Sequence, residues 1–362
     1  MPKVSVLIPT YNQSALLHEA LTSVRNQTET NWEAIIVNNY SDDDTLEIIK
    51  TFEEPRFRAV NVRNNGIIAI SRNLGLQIAQ SDWIAFLDSD DLWHREKLQI
   101  CLEEAETHDI ISHREATIQN DLTIRISPRY HEKRATYRNL LFKGNCLSPS
   151  ALMVRRELLE EVGGFSECTK FVTCEDYDLW LRLSALNPRF QFIDSVLSSY
   201  RLHQGNTSGS ICQHMNAGLE VSDLHYRALK PKVKFDGLRF SRQRARIIYS
   251  AGRSFQKSGN LAKARTCFWR SFLVFPLLGR TLVFGGAAWI GFNPSFKKKS
   301  LFLQPIARDE TKFVSYIDLA RKGSLVSSLI ISLGYVWALS IFILYIIQFE
   351  DILVSLAGRL AR

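Results

Sequence analysis

Two short acidic stretches hold the residue types from which chemistry could be built. In the first, Asp88-Ser89-Asp90-Asp91 follows the apolar run Trp83 to Leu87. Three carboxylates this close repel one another, and withdrawing them from water is costly unless a cation or hydrogen-bond donors sit among them. A hard divalent ion such as Mg²⁺ or Mn²⁺ meets that need. A calcium hand does not, because Leu92 and Trp93 interrupt the alternating oxygen ligands it requires. The alternative is that Asp90 or Asp91 only caps a helix starting near His94. The second stretch, Glu175-Asp176, lies in CEDYDLWLRLSAL, where Leu179, Leu183 and Leu186 make one helical face and leave both acids in the first turn. Acids there either compensate the helix dipole or do work of their own. A third run, Asp42-Asp43-Asp44, precedes a helix carrying Leu46, Ile48 and Ile49 and reads as capping.

The elements that must position these acids follow from hydrophobic pattern. VSVLIP (4–9), EAIIV (33–37), FRAVNV (57–62) and WIAFL (83–87) read as strands. Helical spacing fills the gaps between them, at Leu16 to Val24, after the triple Asp, and from Gly66 across Ser71, Arg72 and Asn73. Strands alternating with helices predict a doubly wound, mostly parallel α/β sheet, and such sheets bind ligands in the crevice beyond their strand ends. After a polar middle section, Ala151 to Val154, a helix and the stop signal Gly163-Gly164 add one more unit. FQFID and VLSSY complete the domain, and RLHQGNTSGS leaves it.

Charge divides the chain. Residues 1–200 carry 21 Lys and Arg against 29 Asp and Glu, whereas residues 201–362 carry 24 against 8. A basic half beside long apolar runs fits an anionic membrane surface better than nucleic acid. Tyr249 to Pro276 predicts two helices broken at Ser258-Gly259-Asn260, like one tetratricopeptide hairpin, and 268–292 an interfacial or core helix pair. Leu325 to Phe349 has no charged residue, and as a helix at about 1.5 Å per residue covers roughly 37 Å, enough for a hydrocarbon core of about 30 Å. A transmembrane helix is expected at 324–349, with a buried oligomerisation helix as the alternative. Lys297 to Lys299, Arg321 and Lys322 put the large N-terminal part in the cytoplasm, on an inner membrane if the source is bacterial. The domain plan is therefore 1–205, a basic helical region 206–320, the span, and a tail 350–362. No signal peptide is expected ahead of the first strand, and six cysteines without a C-x-x-C pair read as reduced thiols.

Taken in order, VSVLIPTYNQ, NNYSDDDT, NNGIIAISRNLG, AFLDSDDLW, GNCLSPSALMVRRELLEEVGGF, EDYDLWLRL and YRLHQGNTS resemble the inverting glycosyltransferases of family 2, which have the GT-A fold. The likeness covers about residues 1–205. It implies a nucleotide-diphosphate sugar as donor, and one sugar transferred to a hydroxyl with inversion. Asp176 then matches the catalytic base and Glu175 helps position the site. Asp90 and Asp88 would hold Mn²⁺ or Mg²⁺ against the diphosphate, and His203 matches a position near the metal or pyrophosphate. The donor would lie against Pro9, Thr10, Tyr11, Asn12, Asn38, Asn39, Asp42, Asn65, Gly66, Arg72, Asn73, Asp88 and Ser89. The bottom-up chemistry agrees: charge gathers on the departing diphosphate, a cation there neutralises it, and a carboxylate in a half-buried cleft has the raised pKa a base needs. For Arg72 the alternatives are a bidentate phosphate contact and an ion pair.

Two departures from the family pattern stand out. Asn38 replaces the Asp that usually meets the base, and since an amide both donates and accepts, uracil or thymine recognition survives. The Q-x-x-R-W signature of processive synthases is broken, because Gln243-Arg244-Ala245-Arg246 is followed by Ile247. These features imply a non-processive, membrane-anchored enzyme whose acceptor is a saccharide, lipid-linked by family habit, in cell-surface polysaccharide or lipopolysaccharide synthesis. A non-catalytic membrane scaffold that binds nucleotide sugar or a partner synthase, and a protein glycosyltransferase, are the competing readings.

Overall fold

The computed structural model describes residues 1–203, 210–278 and 284–285. Two compact units divide the chain, Met1–Lys232 and Val233–Arg362. The first begins with β1 (Val4–Thr10), α1 (Ser14–Arg25), β2 (Trp32–Asn38), α2 (Thr45–Thr51), β3 (Phe57–Asn61), α3 (Ile68–Ile78) and β4 (Trp83–Phe86). Every residue of β1, β2 and β4 is buried, which is why their sequences are continuous apolar runs instead of alternating ones. These strands pair in parallel, β3-β2-β1-β4, with Thr10 level with Asn38 and Leu7 level with Phe86. α1 covers one face with Leu17, Ala20, Leu21 and Val24.

The order reverses between β1 and β4, since β2 and β3 lie to one side and the rest of the sheet to the other. Strand ends part there and leave a crevice. The loops bearing Tyr11 and Asp88 flank it.

Beyond β4 the sheet is mixed, and the expectation of a mostly parallel sheet fails. The chain continues through β5 (Leu92–Trp93), α4 (Lys97–Glu103), β6 (Ile110–Gln119), β7 (Leu122–Ile126), α5 (Tyr137–Lys143), β8 (Leu152–Arg155), α6 (Arg156–Glu161), α7 (Glu175–Ala185), β9 (Phe190–Arg201) and α8 (Ile211–Ala228). β4–β8, β6–β8, β6–β7 and β5–β9 are antiparallel, and only β6–β9 is parallel. The reason is local. Asn120 and Asp121 both take positive φ, the geometry of a two-residue hairpin turn, so β6 folds straight back into β7 without a crossover helix. β6 thereby fills the middle section that the sequence pattern leaves without elements.

α6 ends on Gly163 and Gly164, both at positive φ. A side chain at Gly164 would meet Asn73 Oδ1 at 2.7 Å, so the second glycine also permits the close approach of α3. The first unit takes in α8, past the sequence boundary at 205. The second unit is described as a hairpin of α9 (Asp236–Lys257) and α10 (Leu261–Val274), broken at 258–260 as the sequence predicts. α9 has 22 residues and is longer than expected. Gly252 lets it meet Phe268, whose ring would lie 2.8 Å from an added Cβ. Among the described residues no helix is long and apolar enough to cross a membrane. The expected span at 324–349, its tail, and residues 279–283 and 286–292 of the expected helix pair lie outside the described residues.

Candidate active site

The turn after β4 gives its three acids three environments. Asp91 is buried and structural: its Oδ2 accepts from Ser150 Oγ at 2.6 Å and its Oδ1 from the Arg201 backbone N–H at 3.0 Å. It ties the end of β9 to the turn and caps no helix, since α4 starts only at Lys97. Ser150 Oγ also accepts from the Asp88 backbone N–H, and Ser89 Oγ donates to Gln13 Oε1, so the turn is fixed by its neighbours. Asp90 meets His203 Nε2 at 2.9 Å. Asp88 stays partly open to the crevice, its side chain 27% exposed, and its Oδ1 lies 2.7 Å from Arg72 Nη2.

α7 brings the second acidic pair to the same place. Glu175 Oε1 lies 2.7 Å from Arg72 Nη1, so one guanidinium joins the turn after β4 to the first turn of α7. Burial opposes the charge on Arg72, but Asp88 and Glu175 outweigh it and hold the group firmly protonated. Asp176, next along the helix, is half-buried; its Oδ1 accepts from the Tyr177 N–H and its Oδ2 from Asn145 Nδ2 at 3.4 Å. Burial first, and the Glu175 charge second, push its carboxyl up to about 7. That is the range in which a carboxylate works as a base near neutrality.

The remaining sequence candidates fall into two groups. Tyr11, Asn12, Asp42, Asn65 and Gly66 are exposed on the loops beyond β1, β2 and β3, and Tyr11 presents half its surface to solvent. Pro9 and Thr10 close β1 beneath them, and Thr10 Oγ1 is buried without a hydrogen-bond partner among the described residues. Others are spent inside the protein. Asn38 is fully buried, donating to Asn61 Oδ1 and accepting from Ser41 N and Oγ. Asn39 Oδ1 accepts from Asn64 N–H. Asn73 grips the backbone of Phe165 with both ends of its amide. Asp43 accepts from Ser14 N–H and from Thr45, fixing two helix starts at once.

Sequence reasoning did not single out Asn145 and Tyr40. Asn145 stands exposed beside Asp176, in the G-N-C loop that the family likeness already marked. Tyr40, half-exposed under the Arg63 guanidinium at 4.7 Å, gave no signal beyond being aromatic in a polar loop.

A divalent cation fits this donor set as an open site. No three of the described His, Cys, Asp and Glu residues close around a metal, but His203, just past β9, touches Asp90, and Asp88 shares the turn of Asp90. Burial and the Asp88 charge raise the Asp90 carboxyl, a penalty that a bound cation would relieve. The missing ligands of such a site come from substrate phosphates.

Comparison with known proteins identifies the family and the fold. Residues 5–163 match the glycosyl transferase family 2. The chain is 31% identical over 215 residues to the UDP-Glc:alpha-D-GlcNAc-diphosphoundecaprenol beta-1,3-glucosyltransferase WfgD of Escherichia coli, a match covering 57% of this chain and 80% of that protein. It is 39% identical over 104 residues to the putative teichuronic acid biosynthesis glycosyltransferase TuaG of Bacillus subtilis, covering 28% of this chain and 41% of that one. Among solved structures, Staphylococcus aureus TarS 1–349 with UDP-GlcNAc superposes with a TM-score of 0.55 at 19% identity, covering 80% of this chain and 88% of that one. The mannosyltransferase PcManGT of Pyrobaculum calidifontis, with GDP-Man and Mn²⁺, gives 0.52 at 18%, covering 81% of each. The chain belongs to the family 2 glycosyltransferases.

Proposed function

We propose that this chain transfers one sugar from a nucleotide-diphosphate sugar to a hydroxyl of a saccharide acceptor, with inversion at the anomeric carbon. The acceptor hydroxyl gives its proton to Asp176 as its oxygen attacks the anomeric carbon. The bond from that carbon to the diphosphate breaks, and the nucleoside diphosphate leaves with the electron pair. One displacement from the face opposite the leaving group inverts the centre. The observation that carries the reading is the joining of Asp88 to Glu175 through Arg72. It sets a half-buried carboxylate with a raised pKa beside the turn that would meet the diphosphate.

Asp90, His203 and Asp88 would hold Mn²⁺ or Mg²⁺, which supplies charge neutralisation on the leaving diphosphate when bound. The Mn²⁺ and the nucleotide sugars held by the structural neighbours support this assignment. Tyr11, Asn12, Asp42, Asn65 and Gly66 are assigned to the nucleoside, with Thr10 Oγ1 as an unused polar atom beneath it. The E. coli relative's name places its acceptor on diphosphoundecaprenol, which supports a lipid-linked saccharide here and a place in surface polysaccharide synthesis. A membrane anchor at 324–349, with residues 1–205 in the cytoplasm, belongs to the same proposal. The intact base favours an enzyme over a scaffold, because a binding module has no use for a carboxylate poised near neutrality.

The test is release of nucleoside diphosphate from a panel of nucleotide sugars, with membrane-extracted acceptor and Mn²⁺ or Mg²⁺. The expected outcome is release with at least one donor, abolished by chelation and by Asp90→Ala. Release that ignores both would remove the cation and its ligands from the account.

A further inference from the structure

We infer that Arg72 is a positioning residue that couples the diphosphate side of the crevice to the base side, so that ligand binding at Asp88 is felt at the start of α7. The inference rests on the proposed function and adds a role that a phosphate contact alone would not give.

The geometry is that of a strut. Arg72 is 3% exposed, and its two terminal nitrogens each lie 2.7 Å from a different carboxylate, Asp88 on one and Glu175 on the other. The Phe165 ring packs 5.2 Å from the guanidinium carbon and limits its swing. A guanidinium is planar and rigid, so its two nitrogens cannot move independently; a lysine ammonium is a single point and could not span both acids.

The ties are also few. Asp88 and Glu175 have no other side-chain hydrogen bond among the described residues, and Glu175 Oε2 and Arg72 Nε are buried without one. Anything that takes hold of Asp88 therefore competes for one arm of Arg72. The other arm, and the helix turn carrying Asp176, feel the change.

A merely structural ion pair looks different. On the same helix Asp178 meets His225 at 3.0 Å and Arg182 at 2.7 Å, away from the turn after β4. That pair fastens α7 to α8 and has no partner on the diphosphate side. Among the described residues, Arg72 alone carries an acid from each half of the crevice.

Coupling between two sites is reciprocal, which makes it measurable without turnover. The full-length protein is titrated with Mn²⁺ in the presence of UDP, as wild type, Glu175→Gln, Arg72→Met and the double variant. Without the charge at 175 the tie to Arg72 weakens and the guanidinium falls more to Asp88, so Glu175→Gln is expected to weaken Mn²⁺ binding by about five-fold or more. In the Arg72→Met background the same change is expected to do less than about two-fold, the signature of an interaction that runs through the removed group. Arg72→Lys, which keeps a buried positive charge, should also lose the coupling, and serves where Arg72→Met does not fold. An effect of Glu175→Gln that is absent in wild type, or equal with and without Arg72, would overturn the inference. A crystal structure of Arg72→Met or Arg72→Lys without ligand decides it independently. The Asp88 and Glu175 side chains should leave their places while the Asp91–Ser150 bond stays, and carboxylates that do not move would also overturn it. If wild type binds neither Mn²⁺ nor UDP, the donor reading fails, and that structure still judges the strut.

Discussion

Two buried ionic clusters in the first unit handle charge in opposite ways. At the crevice, Arg72 pairs with Asp88 and with Glu175 at 2.7 Å, and the two acids hold its guanidinium protonated. On α4 and β6, the buried Lys97 and His113 and the half-buried Glu115 have no such pairing among the described residues. Lys97 Nζ has only the Trp93 ring 3.7 Å away and no hydrogen-bond partner among the described residues. Burial drives Lys97 down to about 8 and His113 to about 3, and lifts Glu115 to about 7. The interior cluster is pressed toward neutrality, whereas the crevice cluster is ion-paired and touches solvent at Asp88. Charge retained at a crevice is available to a ligand; charge suppressed in a core is a packing matter.

The sharpest break between the two clusters should come from Asp176, the proposed base, which they do not share. Asp176→Asn is expected to lower kcat by about 10³-fold while donor binding persists, measured as product formation against donor affinity. Next, Arg72→Met leaves the buried Glu175 and the half-buried Asp88 unpaired and should cost about 3 kcal/mol of stability, read from denaturant melts. Lys97→Met exchanges an uncompensated buried ammonium for an apolar chain of similar volume, and should be neutral or stabilising by about 1 kcal/mol with activity unchanged.

Two pH profiles sharpen the contrast with smaller effects. Asp176 must be ionised to accept a proton, so kcat should climb as pH rises through about 7, and a profile flat from pH 5 to 9 would remove it as the base. For Lys97 the folded-state pKa is depressed from 10.5 to about 8, so the unfolded chain binds more protons between those values. Wild type should therefore gain stability relative to Lys97→Met as pH rises from 8 to 10.5, and lose that gain as pH falls through 8.

The same contrast marks what the sequence makes legible. β1, β2 and β4 are buried on both faces, so apolar runs announce them. β6 is equally central, but it carries His113, Arg114 and Glu115, and a strand that buries polar groups breaks the pattern that reveals strands. β9 reads as two pieces because its pairing with β6 shifts register near Arg114. β5, with two residues, has no pattern to read.

At the site, the acids of the turn after β4 and of α7 were visible as motifs. Which of them does what was not. Asp91 looks like its neighbours in sequence, and only Ser150, 59 residues away, makes it structural. Arg72 and Glu175 meet across 103 residues, a pairing that a single sequence cannot display. Asn38 and Asn73 carry the right chemistry for a ligand, but their neighbours use it first.

A crystal structure of the Asp176→Asn variant with the donor that the panel selects tests the central claim most directly. The account predicts the diphosphate beside Asp88 and Asp90 and the anomeric carbon facing residue 176 with space for a hydroxyl between them. A donor bound outside this crevice, or with its anomeric carbon turned away from residue 176, would contradict it.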